Sequence, residues 1–443
     1  MRRFYAAAAA ALFGITLGVA PQATAATLNL KPEVLTVGAN ASMVHTGKQH
    51  TAKQDSGKAS LRVATVSAGL SEEREGALAE RLEGGNDTAA QMLARSVQQT
   101  RPDVLLVTDI DTDSHVADIF NEQYLGQAQT DGAEANADAG ADAGSKELSS
   151  IEYKYVYSAT TNAGVQAGAD LNGNGTTGDP GDAFGAGDFE GQRSMVLYSR
   201  YPIDQDEVRT FNDLTWDEVP GNSLDTEKYS KLVRSVLPLN STSMWDIPLK
   251  VDGETLHVIA TDLTPDNGEG ADPVRRLDQL RFLSMYLNDN AKLRELTDDA
   301  GQYGGLDKSS SAVVLGALGP DEASLGNDAD QMRQDASAEL ETLMDSKSLE
   351  VAKPSMAAGQ CENTLPIQIR TFMDFMCATQ YATRMDGVAS RSDYVGVTAG
   401  PKIVESGIET AMSDAGDHHE HGSTDHLSGE RRMVWADITL KRD

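Results

Sequence analysis

Carboxylates stand at the ends of several apolar runs in this chain. "RPDVLLVTDID" ends on Asp109 and Asp111, "LHVIATDLTPD" reaches Asp262, and "STDH" carries Asp425 beside His426. Ser67 holds the same place in "LRVATVSAGL". Carboxylate oxygens are ligands that hard divalent cations take, and an Asp next to a His can orient and move a proton. Together these are residue types of metal-assisted hydrolysis. One stretch breaks the pattern. "VVLGALGPDE" (313–322) runs from a β-branched core sequence into a loop where such hydrolases place a carboxylate and an amide. Here those places hold Ala317 and Gly319.

Two further motifs have metal-binding residue types. "DLNGNG" (170–175) matches the first half of an EF-hand loop with Asp170, Asn172 and Asn174, but its twelfth position is Gly181 and no helical pattern flanks it. A structural Ca²⁺ completed by Asp179 or Asp182 is one reading, and a Gly-rich surface loop is the other. "DHHEHGSTDH" (417–426) holds four of the eight histidines. It reads either as a Zn²⁺ or other transition-metal loop or as a solvated insertion.

The elements that must position these residues follow from the pattern. Residues 61–70 read as a strand. Residues 86–111 read as helix, turn and strand: Asn86 or Asp87 caps the helix, Met92, Leu93 and Val97 form its apolar face, and Pro102 stops it. "IEYKYVYSAT" (151–160) alternates as a strand, and "SMVLYSRYPI" (194–203) reads as another. Residues 244–266 form a hairpin around Asp252-Gly253. A helix over 272–289 carries Leu277, Leu280, Phe282, Leu283 and Tyr286 on its core face. "SAVVLGALG", "SDYVGVT" and "RRMVWADITL" supply the last strands. Helices alternating with strands, plus hairpins, indicate a mixed α/β architecture with packed sheets.

Residues 1–25 read as a secretory signal, with Arg2 and Arg3, an Ala-rich apolar run and Ala23-Thr24-Ala25 at the cleavage site. The expectation is an exported chain, periplasmic or secreted, with no membrane span once processed. Residues 26–58 are a flexible N-terminal arm and 59–443 one domain, with an acidic low-complexity insertion at 130–147. In an exported protein Cys361 and Cys377 are expected to form a disulfide, worth roughly 3 kcal/mol for a loop of this size; two buried thiols are the other reading. With 68 acidic against 37 basic side chains the formal charge is −31. Such a surface disfavours nucleic acid as a partner.

The stretches "LRVATVSAGL", "RPDVLLVTDID", "GDAFGAGDFEGQRSMVLYSRYPI", "LHVIATDLTPD", "VVLGALGPDE", "SRSDYVGV" and "TDH…RRMVWADI", in that order, resemble the endonuclease/exonuclease/phosphatase superfamily, the DNase-I-like fold. The third is similar to exported bacterial members. The resemblance implies an α/β (α+β) four-layer sandwich, two packed mixed β-sheets flanked by helices. It also implies metal-dependent phosphoester hydrolysis with Mg²⁺ or another divalent ion. Carried onto this chain, the metal-binding position is Asp109. The first strand's Asn is Ser67, the catalytic His is Asp262, and the Asp and Asn of the Gly-Asp-x-Asn motif are Ala317 and Gly319. Asp425-His426 keeps the family's pair.

Ala317 cannot orient water, Gly319 has no side chain to donate to a phosphate, and Asp262 puts a negative charge where a cationic group belongs. Losses of this kind reduce rates by orders of magnitude. One reading is therefore a degenerate phosphoesterase that binds or supports structure. The alternative is an active metal-dependent phosphodiesterase, phosphatase or nuclease with a site rebuilt from Asp109, Asp262, Asp425 and His426. A scaffold without a ligand is a third.

Overall fold

The computed structural model describes residues 58–130, 146–265, 272–288, 291–320, 325, 330–346, 348–353, 383, 391–412 and 431–441. The signal segment, nearly all of the arm, most of the acidic insertion, Cys361, Cys377 and the His-rich stretch with Asp425 and His426 lie outside the described residues.

Twelve strands are assigned among the described residues: β1 Lys58–Leu70, β2 Val104–Ile110, β3 Tyr155–Tyr157, β4 Ser194–Ser199, β5 Arg209–Thr210, β6 Met244–Val251, β7 Glu254–Asp262, β8 Ser311–Ala317, β9 Glu350–Val351, β10 Asp393–Val397, β11 Lys402–Met412 and β12 Arg431–Lys441. They form two six-stranded sheets, β11-β12-β1-β2-β4-β3 and β5-β6-β7-β8-β10-β9. Each sheet has one parallel pair, β1 with β2 and β7 with β8, and is otherwise antiparallel. A helix crosses between the members of each parallel pair, α2 (Thr88–Thr100) in the first sheet and α5 (Pro273–Leu287) in the second. Short helices α1 (Ala77–Leu82) and α3 (Val116–Phe120) join α2 outside sheet 1, and α6 (Gln331–Met344) joins α5 outside sheet 2.

Strand alternation sorts the core. Val63, Leu106, Leu197, Val258, Leu315 and Val395 pack between the sheets, whereas Val66, Val107 and Val196 face α2 and Ile259 and Val314 face α5 and α6. The result is the mixed α/β architecture with packed sheets expected from the pattern, in the four-layer arrangement that the resemblance implied.

Local chemistry explains the boundaries. The Asp87 carboxylate accepts from Ala90 N–H at 2.8 Å to cap α2, and Arg101 closes it in the left-handed region before Pro102. Asp252 and Gly253 both have positive φ, 51° and 95°, as a two-residue hairpin turn with right-handed twist requires. The strand expected over 151–160 shrinks to Tyr155–Tyr157. Asn121 takes the backbone of Tyr153 for itself, donating to its carbonyl at 2.9 Å and accepting from its N–H at 3.2 Å. The pattern had not shown β11, because charged residues interrupt it and Val404 is an extra residue at a bulge between Ile403 and Glu405. No helix among the described residues is long and apolar enough to cross a membrane.

Candidate functional site at the strand ends

The inward faces of both sheets turn from apolar to polar at one end. On β7, Leu256, Val258 and Ala260 face the other sheet, and two residues on comes Asp262. On β8 the series Val313, Leu315 reaches Ala317; on β10, Val397 and Val395 lead back to Asp393. Register pairs Asp262 with Ala317 and Ala317 with Asp393. The three form one row across sheet 2, with Ala317 between two carboxylates. Sheet 1 does the same: Leu61 and Val63 lead to Thr65 and Ser67 on β1, and Val104 and Leu106 lead to Thr108 on β2, paired with Ser67.

Thr383 joins these two polar ends. Its hydroxyl accepts from the N–H groups of Ser392 and Asp393 at 3.0 and 3.2 Å, and its carbonyl accepts from Arg432 N–H at 2.9 Å. Arg432 is the second residue of β12, which pairs with β1 through Thr65 and Val434. The Gly-rich loop 161–192 makes a second bridge. It meets the strand ends of sheet 1 through Gly191 O, which accepts from Thr112 N–H at 2.9 Å. It meets sheet 2 through Asn162 N–H, which donates to Thr242 O at 2.8 Å. Two glycines are required for this path: a Cβ on Gly164 would lie 1.7 Å from Phe189 O, and one on Gly185 would lie 1.8 Å from Ser241 O. Ser67, Asp262, Ala317 and Gly319 are thus brought to one end of the sandwich, with Asp109 at the adjoining end of β2.

Asp109 has left-handed backbone, φ 55°, where the β2 register shifts between Thr108 and Ile110. The kink lets the chain return to Asp111, which is fully buried. Asp111 accepts from Glu72 N–H at 2.8 Å and Arg193 N–H at 3.0 Å, tying the ends of β1, β2 and β4 together. Burial pushes its carboxyl up to about 6, against the opposing pull of the Arg193 N–H, the Ser71 hydroxyl and the Glu72 N–H.

Beyond β8, Gly319 has φ 93°. A Cβ there would stand 2.1 Å from Arg276 Nη1 and 3.0 Å from its Cζ. The fully buried Arg276 guanidinium therefore fills the space that a side chain at 319 would use. It also reaches Ser337 on α6 at 3.4 Å, and the Ser337 hydroxyl donates to Pro320 O at 2.8 Å. Sequence reasoning had missed Arg276, Asp393 and Thr383. A signal existed for Arg276, since it lies four and seven residues before Leu280 and Leu283 on the core face of α5. Asp393 directly precedes the apolar "YVGV". Thr383 carried no signal.

Among the described residues, no group of three or more His, Cys, Asp or Glu side chains is arranged to hold a metal ion. At β2 the donors are Asp109 and neutral hydroxyls, while Asp111 is engaged by backbone N–H groups. These described donors do not by themselves fit a resident divalent ion. In the loop of Asp170, carboxylates organise amides: Asp170 accepts from Gly173, Asn174 and Gly175 N–H at 2.6, 3.1 and 2.9 Å. Asp179 accepts from Asn174 Nδ2 at 2.6 Å, the main reason its carboxyl lies below the usual range. The Asp182 carboxylate accepts from Leu171 N–H at 2.7 Å and Gly178 N–H at 2.9 Å.

No family model and no curated protein matches the chain. Among solved structures, the chain is similar to an endonuclease/exonuclease/phosphatase from Beutenbergia cavernae DSM 12333, with 13% identity over 86% of this chain and 72% of that one and a TM-score of 0.41. It is similar to an endonuclease/exonuclease/phosphatase family protein from Leptotrichia buccalis C-1013-b, with 12% identity over 85% and 99% of the two chains and a TM-score of 0.41. A sphingomyelinase C from Streptomyces griseocarneus matches at 14% identity over 85% and 99%, with a TM-score of 0.37.

Proposed function

We propose that this chain is an exported protein of the endonuclease/exonuclease/phosphatase superfamily whose strand-end site has lost phosphoester hydrolysis and serves binding or structure. The observation that carries this reading is Arg276 in the side-chain space of residue 319. A site that had merely lost an amide would leave that space to substrate or solvent; here a buried guanidinium packs into it and braces α5, α6 and the Gly319-Pro320 turn. Ala317, flanked by Asp262 and Asp393, supports the same reading. Ala317 offers no group to orient water, and the carboxylate of Asp262 beside it disfavours a phosphate dianion.

One observation favours a rebuilt catalytic site instead. Asp109 keeps a left-handed backbone, and strain of that kind concentrates at functional positions. Hydrolysis assays decide between the two. The purified protein with Mg²⁺, Mn²⁺, Ca²⁺ or Zn²⁺ is expected to turn over DNA, RNA and nitrophenyl phosphoesters no faster than the metal alone. Metal-dependent hydrolysis that Asp109→Ala or His426→Ala abolishes would establish the rebuilt site.

A further inference from the structure

The "DLNGNG" stretch (170–175) lies on the Gly-rich loop 161–192 and holds two Asn–Gly pairs in a row, Asn172-Gly173 and Asn174-Gly175. An Asn followed by Gly is open to self-modification, because no β-carbon shields the amide that follows. The glycine nitrogen gives up its proton and bonds to the asparagine Cγ, while the Cγ–Nδ2 bond breaks and ammonia leaves. The five-membered imide takes up one water and opens at either carbonyl, to Asp or to β-linked isoaspartate. All four residues are exposed. Among the described residues, none beyond the chain neighbours comes within 4 Å of where a Cβ would stand on Gly173 or Gly175, so solvent reaches both amides.

Sequence and exposure favour the reaction at both pairs, and the hydrogen bonds oppose it. The nucleophile of each pair is held. Asp170 Oδ1 accepts from Gly173 N–H at 2.6 Å, and Asp170 Oδ2 accepts from Gly175 N–H at 2.9 Å. A backbone amide must lose its proton to attack, and an adjacent anion disfavours that second negative charge. The departing amide of each pair is held as well. Asp179 Oδ1 accepts from Asn172 Nδ2 at 2.9 Å, and Asp179 Oδ2 accepts from Asn174 Nδ2 at 2.6 Å. Asn172 Oδ1 accepts from Asn174 N–H at 2.9 Å, and Asn174 Oδ1 accepts from Thr176 N–H at 2.8 Å. Either asparagine must break these bonds to turn its Cγ onto the glycine nitrogen. One carboxylate therefore guards both nucleophiles, and the other guards both amides.

We propose that Asn172 and Asn174 form a coupled deamidation site, guarded by Asp170 and Asp179, in which conversion of one asparagine releases the other. The coupling follows from the shared guards. A carboxylate formed at 172 stands against Asp179 where an amide donor stood, and the two like charges repel. Asp179 then loses its place beside Asn174, whose amide it held through its other oxygen. A product in the β-linked form also lengthens the backbone between the two glycines that Asp170 holds, so the first guard loosens with the second.

Peptide mass spectrometry on the full chain, incubated in mildly alkaline buffer and read separately at 172 and 174, tests this. Both sites in the folded protein should react at least about tenfold more slowly than in the same chain unfolded in urea, the factor set by one hydrogen bond to a charged acceptor. Partly reacted folded protein should hold mainly unmodified and doubly modified loops, with few singly modified ones. Asp170→Ala frees both glycine N–H groups and should speed both reactions at least about tenfold, with thermal melting unchanged. Asp170→Asn, which keeps the side chain's volume and removes its charge, should speed them in the same direction in a less altered loop. Asn172→Asp copies the first product and should speed Asn174 at least about tenfold. Folded and unfolded chains that react alike, a folded Asp170→Ala or Asp170→Asn protein no faster than wild type, or an Asn174 indifferent to Asn172→Asp would each overturn the proposal.

Discussion

The two parallel strand pairs of this molecule end very differently. At the end of β1 and β2, Asp111 is locked by backbone N–H groups from two neighbouring strand ends, and Asp109 holds a left-handed turn. At the end of β7 and β8, Asp262 stands beside Ala317, and the Arg276 guanidinium occupies the side-chain space of Gly319. At the first end a buried carboxylate organises the backbone of three strand ends; at the second a buried guanidinium from α5 packs where residue 319 has no side chain.

Gly319→Asn should break this contrast most severely. A side chain at φ 93° that collides with Arg276 is expected to destabilise by about 4 kcal/mol, from overpacking plus left-handed strain. Denaturant unfolding checks it. An unchanged midpoint would mean that Arg276 moves aside freely and the site is still open. It follows that placing longer side chains at 317 and 319 together requires Arg276 to be replaced as well.

Asp111→Ala sharpens the other side of the comparison. Leaving Glu72 and Arg193 N–H without their buried acceptor should destabilise by about 2–3 kcal/mol. The pH dependence carries a separate signature. The Asp111 carboxyl is raised from 3.8 to about 6, so between those values the folded state holds a proton that the unfolded state releases. Its contribution therefore falls as pH rises from about 4 to about 6, by about 3 kcal/mol in all. Unfolding at several pH values should show that slope in the wild type and not in Asp111→Ala.

Ala317→Asp puts a third carboxylate into the row of Asp262 and Asp393. The expected loss is about 2 kcal/mol, from like charges set side by side. Equal destabilisation by Ala317→Asn in denaturant unfolding would attribute the effect to volume rather than charge. Asp109→Gly has the smallest effect. Glycine adopts a φ of 55° without strain, so stability should rise by up to about 1 kcal/mol if the carboxylate has no other structural duty. A fall would show that Asp109 holds something in place.

Much of the architecture was legible because it rests on local pattern. The apolar run of β2, the cap at Asp87, the Asp252-Gly253 turn and the core face of α5 follow from periodicity and turn chemistry. The misses were elements whose signal is not local. β11 is interrupted by charges and a bulge, and residues 151–154 lost their strand to the side chain of Asn121.

By itself the sequence determined the strand and helix periods, the order of elements and the absence of reactive groups at Ala317 and Gly319, since these depend on residue type along the chain. Only the tertiary structure decided what stands in their place. Asp393 reaches Ala317 across a strand pair from 76 positions away, and Arg276 reaches Gly319 from α5. Such neighbours are set by register and by how helices pack on a sheet, where each contact depends on every other, and no spacing within one segment encodes them.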